Sequence, residues 1–108
     1  MPDAAGDWLP VAKSEDVQPH RPLVVDVQDI PIALVRTDDG ALHAVQNVCP
    51  HRGGPVGEGG VKGNVVTCPW HAWTFDLSTG QHTRNPGVRL RLFDVREDGG
   101  DILVRLPA

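Results

Sequence analysis

The sequence contains very little cysteine, methionine or tyrosine, and it has no long apolar run. Its 108 residues include two cysteines, one methionine and no tyrosine. Two cysteines cannot build the several disulfides of a small secreted domain. The apolar runs are a few residues each, whereas a membrane-spanning helix needs roughly 20. The formal charge of −4 argues against a general nucleic-acid binder, which usually carries a basic face.

The N-terminus gives no targeting signal. Residues 1–7 are acidic and contain neither the basic-then-apolar pattern of a signal peptide nor a twin arginine. We therefore expect a cytoplasmic protein that contacts neither membrane nor nucleic acid. The chain length predicts one domain, residues 1–108, with a modest core to which bound metal could add stability.

Almost no segment has helical periodicity. Short β-branched runs separated by turn residues predict an all-β sandwich or barrel of antiparallel strands. Lys13–Val17 reads as one helical turn with Ser14 as its cap, and Pro31 favours a sheet edge or a strand start. The expected strands are residues 8–12, 23–27, 30–36, 41–46, 61–67, 74–77, 88–95 and 102–106.

Each cysteine is followed by a histidine at the spacing of a metal-ligand pair. The first pair lies in Cys49-Pro50-His51, and after sixteen residues the second lies in Cys68-Pro69-Trp70-His71. Thiolates and imidazoles together bind zinc or the iron of iron–sulfur clusters. A disulfide between the cysteines and a structural zinc site with the same four ligands are the alternatives.

The residues around both pairs resemble the Rieske family. The matching stretches are Cys49-Pro50-His51-Arg52-Gly53-Gly54 and Cys68-Pro69-Trp70-His71-Ala72-Trp73, and the resemblance covers residues 8–106. It implies one 2Fe–2S cluster, with Cys49 and Cys68 on one iron and His51 and His71 on the other. It also implies a base of antiparallel strands and a small cluster-binding subdomain at about residues 47–74.

The resemblance further implies a low reduction potential. High-potential members carry an extra cysteine in each loop, and these pair as a disulfide, but the matching positions here are Gly54 and Trp70. Those members also place Ser and Tyr hydroxyls against the cluster, where this chain has Trp73 and Phe75. Fewer hydrogen bonds to the sulfurs disfavour the reduced state, so we expect a potential near the low end of the Rieske range.

Several residues near the ligands have expected supporting roles. Gly53, Gly54 and Gly63 would allow close approach or positive φ near the cluster. Pro50, Trp70 and Ala72 would form the tip where partners dock. Trp8 is expected in the core, Trp73 and Phe75 are expected to be core or cluster-shielding residues, and Arg52 is either a partner contact or solvated. The side chains interpreted as ordinary surface or strand residues are His20, His43, His82, Glu58, Arg84, Glu97 and Asp98.

The resemblance implies an electron carrier without chemistry of its own on an organic substrate. We expect a soluble, monomeric Rieske-type ferredoxin that takes electrons from a flavoprotein reductase. It would pass them to a terminal oxygenase of the aromatic-ring-hydroxylating type. The small subunit of an NAD(P)H nitrite reductase is the alternative. A detached oxygenase domain is disfavoured, because the chain has no room for a mononuclear iron domain.

Overall fold

The computed structural model describes residues 5–19, 21–50, 53–70 and 72–107. These residues form nine strands and two 3-10 turns, Ser14–Asp16 and Val56–Glu58, with no α-helix among them. The predicted all-β fold is confirmed. In this part of the chain no helix is long and apolar enough to cross a membrane. The strands are β1 (Ala5–Lys13), β2 (Leu23–Val27), β3 (Ile30–Arg36), β4 (Leu42–Gln46), β5 (Val61–Lys62), β6 (Val65–Thr67), β7 (Thr74–Asp76), β8 (Leu92–Asp98) and β9 (Asp101–Pro107).

Six strands form one antiparallel sheet that curls into a nearly closed barrel. Their order is β1-β9-β8-β4-β3-β2. Strand β3 is buried on both faces, because side chains alternate across a strand and each face meets a separate core. Ile32 and Leu34 belong to the barrel core, which also contains Val17, Val27, Ala44, Phe93, Ile102, Val104 and Leu106.

The opposite face of β3 meets a second core. Ala33 and Val35 pack there with both cysteines, and we call this cluster the thiol core; its other members are Val45, Val56, Val61, Val66, Phe75, Leu77 and Leu90. The thiol core is covered by a three-stranded antiparallel sheet in the order β5-β6-β7. This second sheet spans residues 61–76, and the subdomain boundary near residues 47–74 stays a prediction.

Two strand predictions differ from the structure. The segment expected as one strand, residues 61–67, is a hairpin, because Gly63 takes a φ of +57° and turns the chain between β5 and β6. The strand expected from Val88 begins only at Leu92. Residues 82–90 instead bond within their own loop and to its neighbours, as in the bonds His82 N–H to Val88 O and Leu90 N–H to Gly80 O.

Three local expectations also need correction. Ser14 is the first residue of its turn, and Lys13 stands at the cap position. Pro31 is the second residue of β3, so its strand-start role is confirmed, but β3 pairs on both sides and is not an edge. Trp8 is half-buried rather than in the core. Its ring packs against two charged side chains instead of apolar ones: the guanidinium carbons of Arg96 and Arg105 lie 4.6 Å and 4.7 Å from the ring centre.

Candidate metal centre

The first cysteine lies in a tight loop that follows β4. The Cys49 backbone N–H donates to the Gly54 carbonyl at 2.9 Å, and the Gly53 N–H donates to the Cys49 carbonyl at 2.8 Å. Gly53 has a φ of +77°, a conformation that glycine adopts without steric cost. We call residues 49–54 the first ligand loop.

The second cysteine lies in a loop with the same closure. The Cys68 N–H donates to the Trp73 carbonyl at 2.7 Å, so both loops close five residues after their cysteine. The residue before the closing carbonyl is left-handed in both, and here it is Ala72 with a φ of +57°. We call residues 68–73 the second ligand loop; it joins β6 to β7. Two loops of similar build therefore present one cysteine each from separate sheets.

The two thiols meet in the thiol core. Cys49 and Cys68 are 2% and 0% exposed, and neither forms a disulfide. Burial raises the pKa of the Cys68 thiol, the backbone N–H of Trp70 opposes that shift, and a hydrogen bond with the Cys49 side chain raises the pKa further. A metal replaces the thiol proton when it binds, because the thiolate is the ligand. Two adjacent, buried and unbridged thiols are a donor set suited to iron or zinc.

The backbone leaves no spare room around the Cys68 sulfur. A Cβ added to Gly54 would lie 2.8 Å from the Cys68 Sγ, and 2.9 and 3.0 Å from the Trp70 Cγ and Cβ. The close approach expected at Gly54 is therefore present. Gly54 and Trp70 are also the positions that match the additional cysteines of high-potential Rieske proteins, and the structure places them in contact.

The predicted imidazole ligands lie outside the described residues. His51 and His71 belong to this group, as do Arg52 and His20. Within the described ranges, no three His, Cys, Asp or Glu side chains converge on one point. The structure therefore shows the thiol half of the proposed ligand set, and the assignment of all four ligands stays a prediction.

His82 lies beside the second ligand loop. The His82 ring contacts the Trp73 ring edge-on at 4.7 Å and the Phe75 ring at 5.5 Å, and its Nδ1 accepts the backbone N–H of Arg84 and Asn85. An Nδ1 that accepts two bonds leaves the other ring nitrogen to carry the proton. His82 therefore holds its loop against the second ligand loop.

His43 lies on β4 and faces a different region. It lines a cavity of about 430 Å³ with the Thr37–Ala41 turn and with Asn64 and Ser78. Its Nε2 is buried and lacks a hydrogen-bond partner among the described residues. Burial lowers the pKa of His43, and the carboxylates of Asp39 and Asp76 oppose that shift.

Shielding of the thiols by aromatic residues agrees with the structure. Phe75 is fully buried in the thiol core, and Trp73 packs against it. Sequence reasoning missed two other features of the site. Leu90 reaches the same core from an otherwise exposed loop, and Ala72 adopts a left-handed conformation that an alanine does not predict.

Comparisons with known proteins agree with this site. The model of the Rieske [2Fe-2S] domain family matches residues 7–94. The oxidoreductase NdmD of Pseudomonas putida is 32% identical over 108 residues, covering 92% of this chain and 18% of its own length. The chain spans about a fifth of the length of the first curated relatives it matches.

Two solved structures match along nearly their whole length. One, assigned as the small subunit of an NADH-dependent nitrite reductase from Mycobacterium tuberculosis, has a TM-score of 0.89 and 29% identity, covering 98% of this chain and 99% of that one. The other is the ferredoxin of carbazole 1,9a-dioxygenase from Nocardioides aromaticivorans IC177, with a TM-score of 0.83 and 31% identity, covering 95% and 100%.

The family match decides between the metals that two thiols could hold. A Rieske-type 2Fe–2S cluster is the cofactor, and the chain is an electron-transfer component. The buried, unbridged thiols fit that group, and the zinc and disulfide alternatives lose their support. With the thiols adjacent and the family model matched over residues 7–94, this chain belongs to the Rieske [2Fe-2S] domain family.

Proposed function

We propose that this chain is a low-potential Rieske-type ferredoxin. It carries single electrons from a flavoprotein reductase to a terminal oxygenase of the aromatic-ring-hydroxylating type. The observation that carries the proposal is the pair of buried thiols held by two loops that also reach the surface. A redox centre placed in this way is shielded from water and still close to a docking partner. The whole-length similarity to a dioxygenase ferredoxin supports this reading.

Each part of the site has a distinct task in the proposal. Cys49 and Cys68 hold one iron, while His51 and His71 hold the other. A 2Fe–2S cluster, when bound, accepts and releases one electron. Phe75 and Leu90 keep water away from the thiols, because both side chains are buried in the same core. Pro50, Trp70 and Ala72 are exposed on the ligand loops, where a partner would dock.

The surroundings of the sulfurs support the low potential in this proposal. Phe75 offers no hydroxyl, and Gly54 provides only backbone. The Trp70 N–H faces the Cys68 sulfur, so at least one backbone donor remains. Fewer donors to a cluster that becomes more negative on reduction mean a lower potential. The monomeric state and the cytoplasmic location stay predictions of the sequence.

The ligand assignment is tested with spectra of single variants. The purified protein should be red-brown, and its dithionite-reduced form should give the rhombic EPR signal of nitrogen-ligated 2Fe–2S iron. Cys49→Ser, Cys68→Ser, His51→Ala and His71→Ala should each abolish that signal. His43→Ala is the matched control, because it removes an imidazole that lines a cavity away from both ligand loops. A colourless wild type that contains zinc would contradict the electron-transfer function, and loss of the signal in the control alone would contradict the ligand set.

A second candidate is the small Rieske subunit of an NAD(P)H nitrite reductase. The observation that favours it is the TM-score of 0.89 to a chain assigned to that role. A subunit should co-purify with a large sirohaem-containing chain from the native organism, whereas a ferredoxin should purify alone and reduce an oxygenase on mixing. A gene for one of these proteins beside this one would point the same way. Isolation in a stable sirohaem complex would overturn the ferredoxin reading.

A further inference from the structure

Charge is distributed unevenly along the chain. Residues 40–93, which include both ligand loops, contain five Lys or Arg and only two carboxylates, Glu58 and Asp76. The remaining residues contain five Lys or Arg and twelve carboxylates. The Asp76 carboxylate is bonded to Asn64 and to the Ser78 N–H, at the ends of β6 and β7 away from Cys68. Residues 40–93 therefore carry a formal charge of +3, whereas the remaining residues, most of them in the barrel, carry −7.

Three of these cations lie on one loop. We call residues 81–91 the arginine segment; Arg84, Arg89 and Arg91 are exposed on it. None of the three forms a salt bridge with a described residue. The barrel cations differ, because several are paired: Lys13 with Asp101, Arg36 with Glu97 and Arg105 with Asp94. The charge of the arginine segment is thus available to a partner, although the sequence alone suggests an ordinary solvated Arg84.

The arginine segment is fixed beside the first ligand loop. The Arg91 N–H donates to the Gln46 side-chain oxygen at 2.6 Å, and the Gln46 N–H donates to the Arg91 carbonyl at 2.9 Å. The Gln46 side-chain amide in turn donates to the carbonyl of Val48 at 2.5 Å, next to Cys49. The backbone of Arg91 is therefore held by Gln46, which is itself bonded to Val48, the residue before the proposed iron ligand Cys49.

The same segment also lies beside the second ligand loop. The Thr83 N–H donates to the Thr74 carbonyl at 3.0 Å. Arg84 lines a surface cavity of about 520 Å³ together with Ala72 and Trp73. The edge-on contact of His82 with Trp73 holds the segment in that position. Arg91 thus lies beside the first ligand loop and Arg84 beside the second, whereas Arg89, between them in the chain, pairs with Gln81 and lines a cavity with Thr79.

Exposed apolar side chains complete this surface. Val48, which directly precedes the first ligand loop, is 46% exposed, and Trp70, on the second ligand loop, is 49% exposed. Tryptophan and arginine are the residue types that most often dominate the energy of protein interfaces. We propose that Val48, Trp70, Arg84 and Arg91, with Arg89 adding its charge from the same segment, form a docking face for a redox partner whose own docking surface is rich in carboxylates. This inference rests on the proposed function, since it names the chemistry of the partner.

Such a face would accelerate association with its partner by electrostatic steering. Complementary charge speeds the encounter of two proteins by roughly ten- to a thousandfold at low ionic strength, and salt weakens the effect. An electron carrier needs brief, repeated encounters, so a fast association rate matters more to it than tight binding. An acidic protein with a basic face around its redox centre can also orient a partner, because the barrel repels the same carboxylates.

The local charge around the cluster is tested with the rate at which anionic probes oxidise it, measured by stopped flow on the dithionite-reduced protein with its cluster bound. The probes are ferricyanide and the acidic haem protein cytochrome b5; each takes one electron, so that the cluster is oxidised and ferric iron in the probe becomes ferrous, with no bond made or broken. The barrel's net charge alone would repel these anionic probes, and rates would then rise with salt. The docking face predicts rates that fall with salt.

Matched triple variants locate the effect. Arg84→Gln/Arg89→Gln/Arg91→Gln should slow oxidation by both probes roughly tenfold at low salt. The control Lys13→Gln/Arg21→Gln/Arg96→Gln removes the same charge from the barrel and should change the rate by less than about twofold. The EPR signal of each variant reports cluster loading, so an empty protein would count against the proposed function alone. A loaded protein whose rates rise with salt, or an equal loss in the control, would overturn the docking face. DNA binding lost in the first variant, with electron transfer unchanged, would overturn it too.

Discussion

Replacing Gly54 tests whether the backbone fits tightly around the Cys68 sulfur. In Gly54→Ala the new methyl would lie 2.8 Å from the Cys68 Sγ and 2.9 Å from the Trp70 Cγ. Gly54 is buried, and its φ is outside the left-handed region, so crowding rather than backbone strain sets the cost. Overpacking of this kind costs roughly 1–3 kcal/mol. A Gly-to-Ala change returns roughly 0.4–1 kcal/mol by restricting the unfolded chain, so a net loss of roughly 1–2 kcal/mol is expected.

The assay is the rate at which the cluster's visible absorbance bleaches at elevated temperature. Loss of a bound cluster is irreversible, so a rate describes stability better than an equilibrium midpoint. A net loss of 1–2 kcal/mol corresponds to bleaching that is about 5- to 30-fold faster than in wild type. The yield of cluster per chain after purification should fall as well, because the methyl occupies space that the sulfur needs.

Two further variants make the result specific. Gly60→Ala is the matched control, because its Cβ would meet nothing within 4 Å and its φ is ordinary; it should bleach at the wild-type rate or more slowly. Gly54→Ala/Trp70→Ala removes the ring contact but keeps the contact with sulfur, so it should recover only part of the loss. Wild-type bleaching in Gly54→Ala would refute the crowding argument. Complete recovery in the double variant would show that the ring, not the sulfur, is crowded.

Two other predictions concern the barrel. Because burial lowers the pKa of His43, the folded chain binds its proton less readily than the unfolded chain does. The stability contributed by neutral His43 is therefore complete above about pH 6.5 and is lost as the pH falls below that value. The unfolding midpoint of His43→Gln should consequently drop less than that of the wild type between about pH 8 and about pH 5.5. Arg36 donates to the Val17 carbonyl at 2.8 Å and to both oxygens of Glu97, so Arg36→Met should lose roughly 2–3 kcal/mol in denaturant titrations. Lys13→Met removes only an exposed ion pair and should leave the midpoint unchanged. A similar loss in both variants would show that the bond from Arg36 to the Val17 carbonyl contributes little.

The ligand pattern and the strand content could be predicted because they are local. Cys49 and Cys68 each precede a histidine within three residues, and the turn at Asp39-Gly40 interrupts two apolar runs. In the structure β3 and β4 pair across this turn as a hairpin, with Gly40 at a φ of +88°. Turn chemistry and ligand spacing need only a few neighbouring residues, so a single sequence is enough to recognise them.

The features that could not be predicted depend on distant contacts. Ala72 is left-handed because the second ligand loop closes on the Cys68 N–H, and an alanine carries no sign of that conformation. The alternation of Val88–Val95 suggests a strand, yet Leu90 turns into the thiol core and β8 begins later. Trp8 is apolar enough for a core, but two arginines from β8 and β9 cover its ring. In each case tertiary context overrode a local preference.

The two cores imply a division between scaffold and site. The barrel core closes with residues from β2, β3, β4, β8 and β9, and neither cysteine belongs to it. The thiol core needs Cys49 and Cys68 together with the small sheet, whose strands are only two or three residues long. Strands that short contribute little stability alone, so cluster binding should stabilise the small sheet and the ligand loops far more than the barrel. Strand β3 joins the two, since its alternate side chains fill both cores. The barrel can therefore hold the first ligand loop in place before the metal arrives, and we expect the bound cluster to add stability mainly to the second loop and the small sheet.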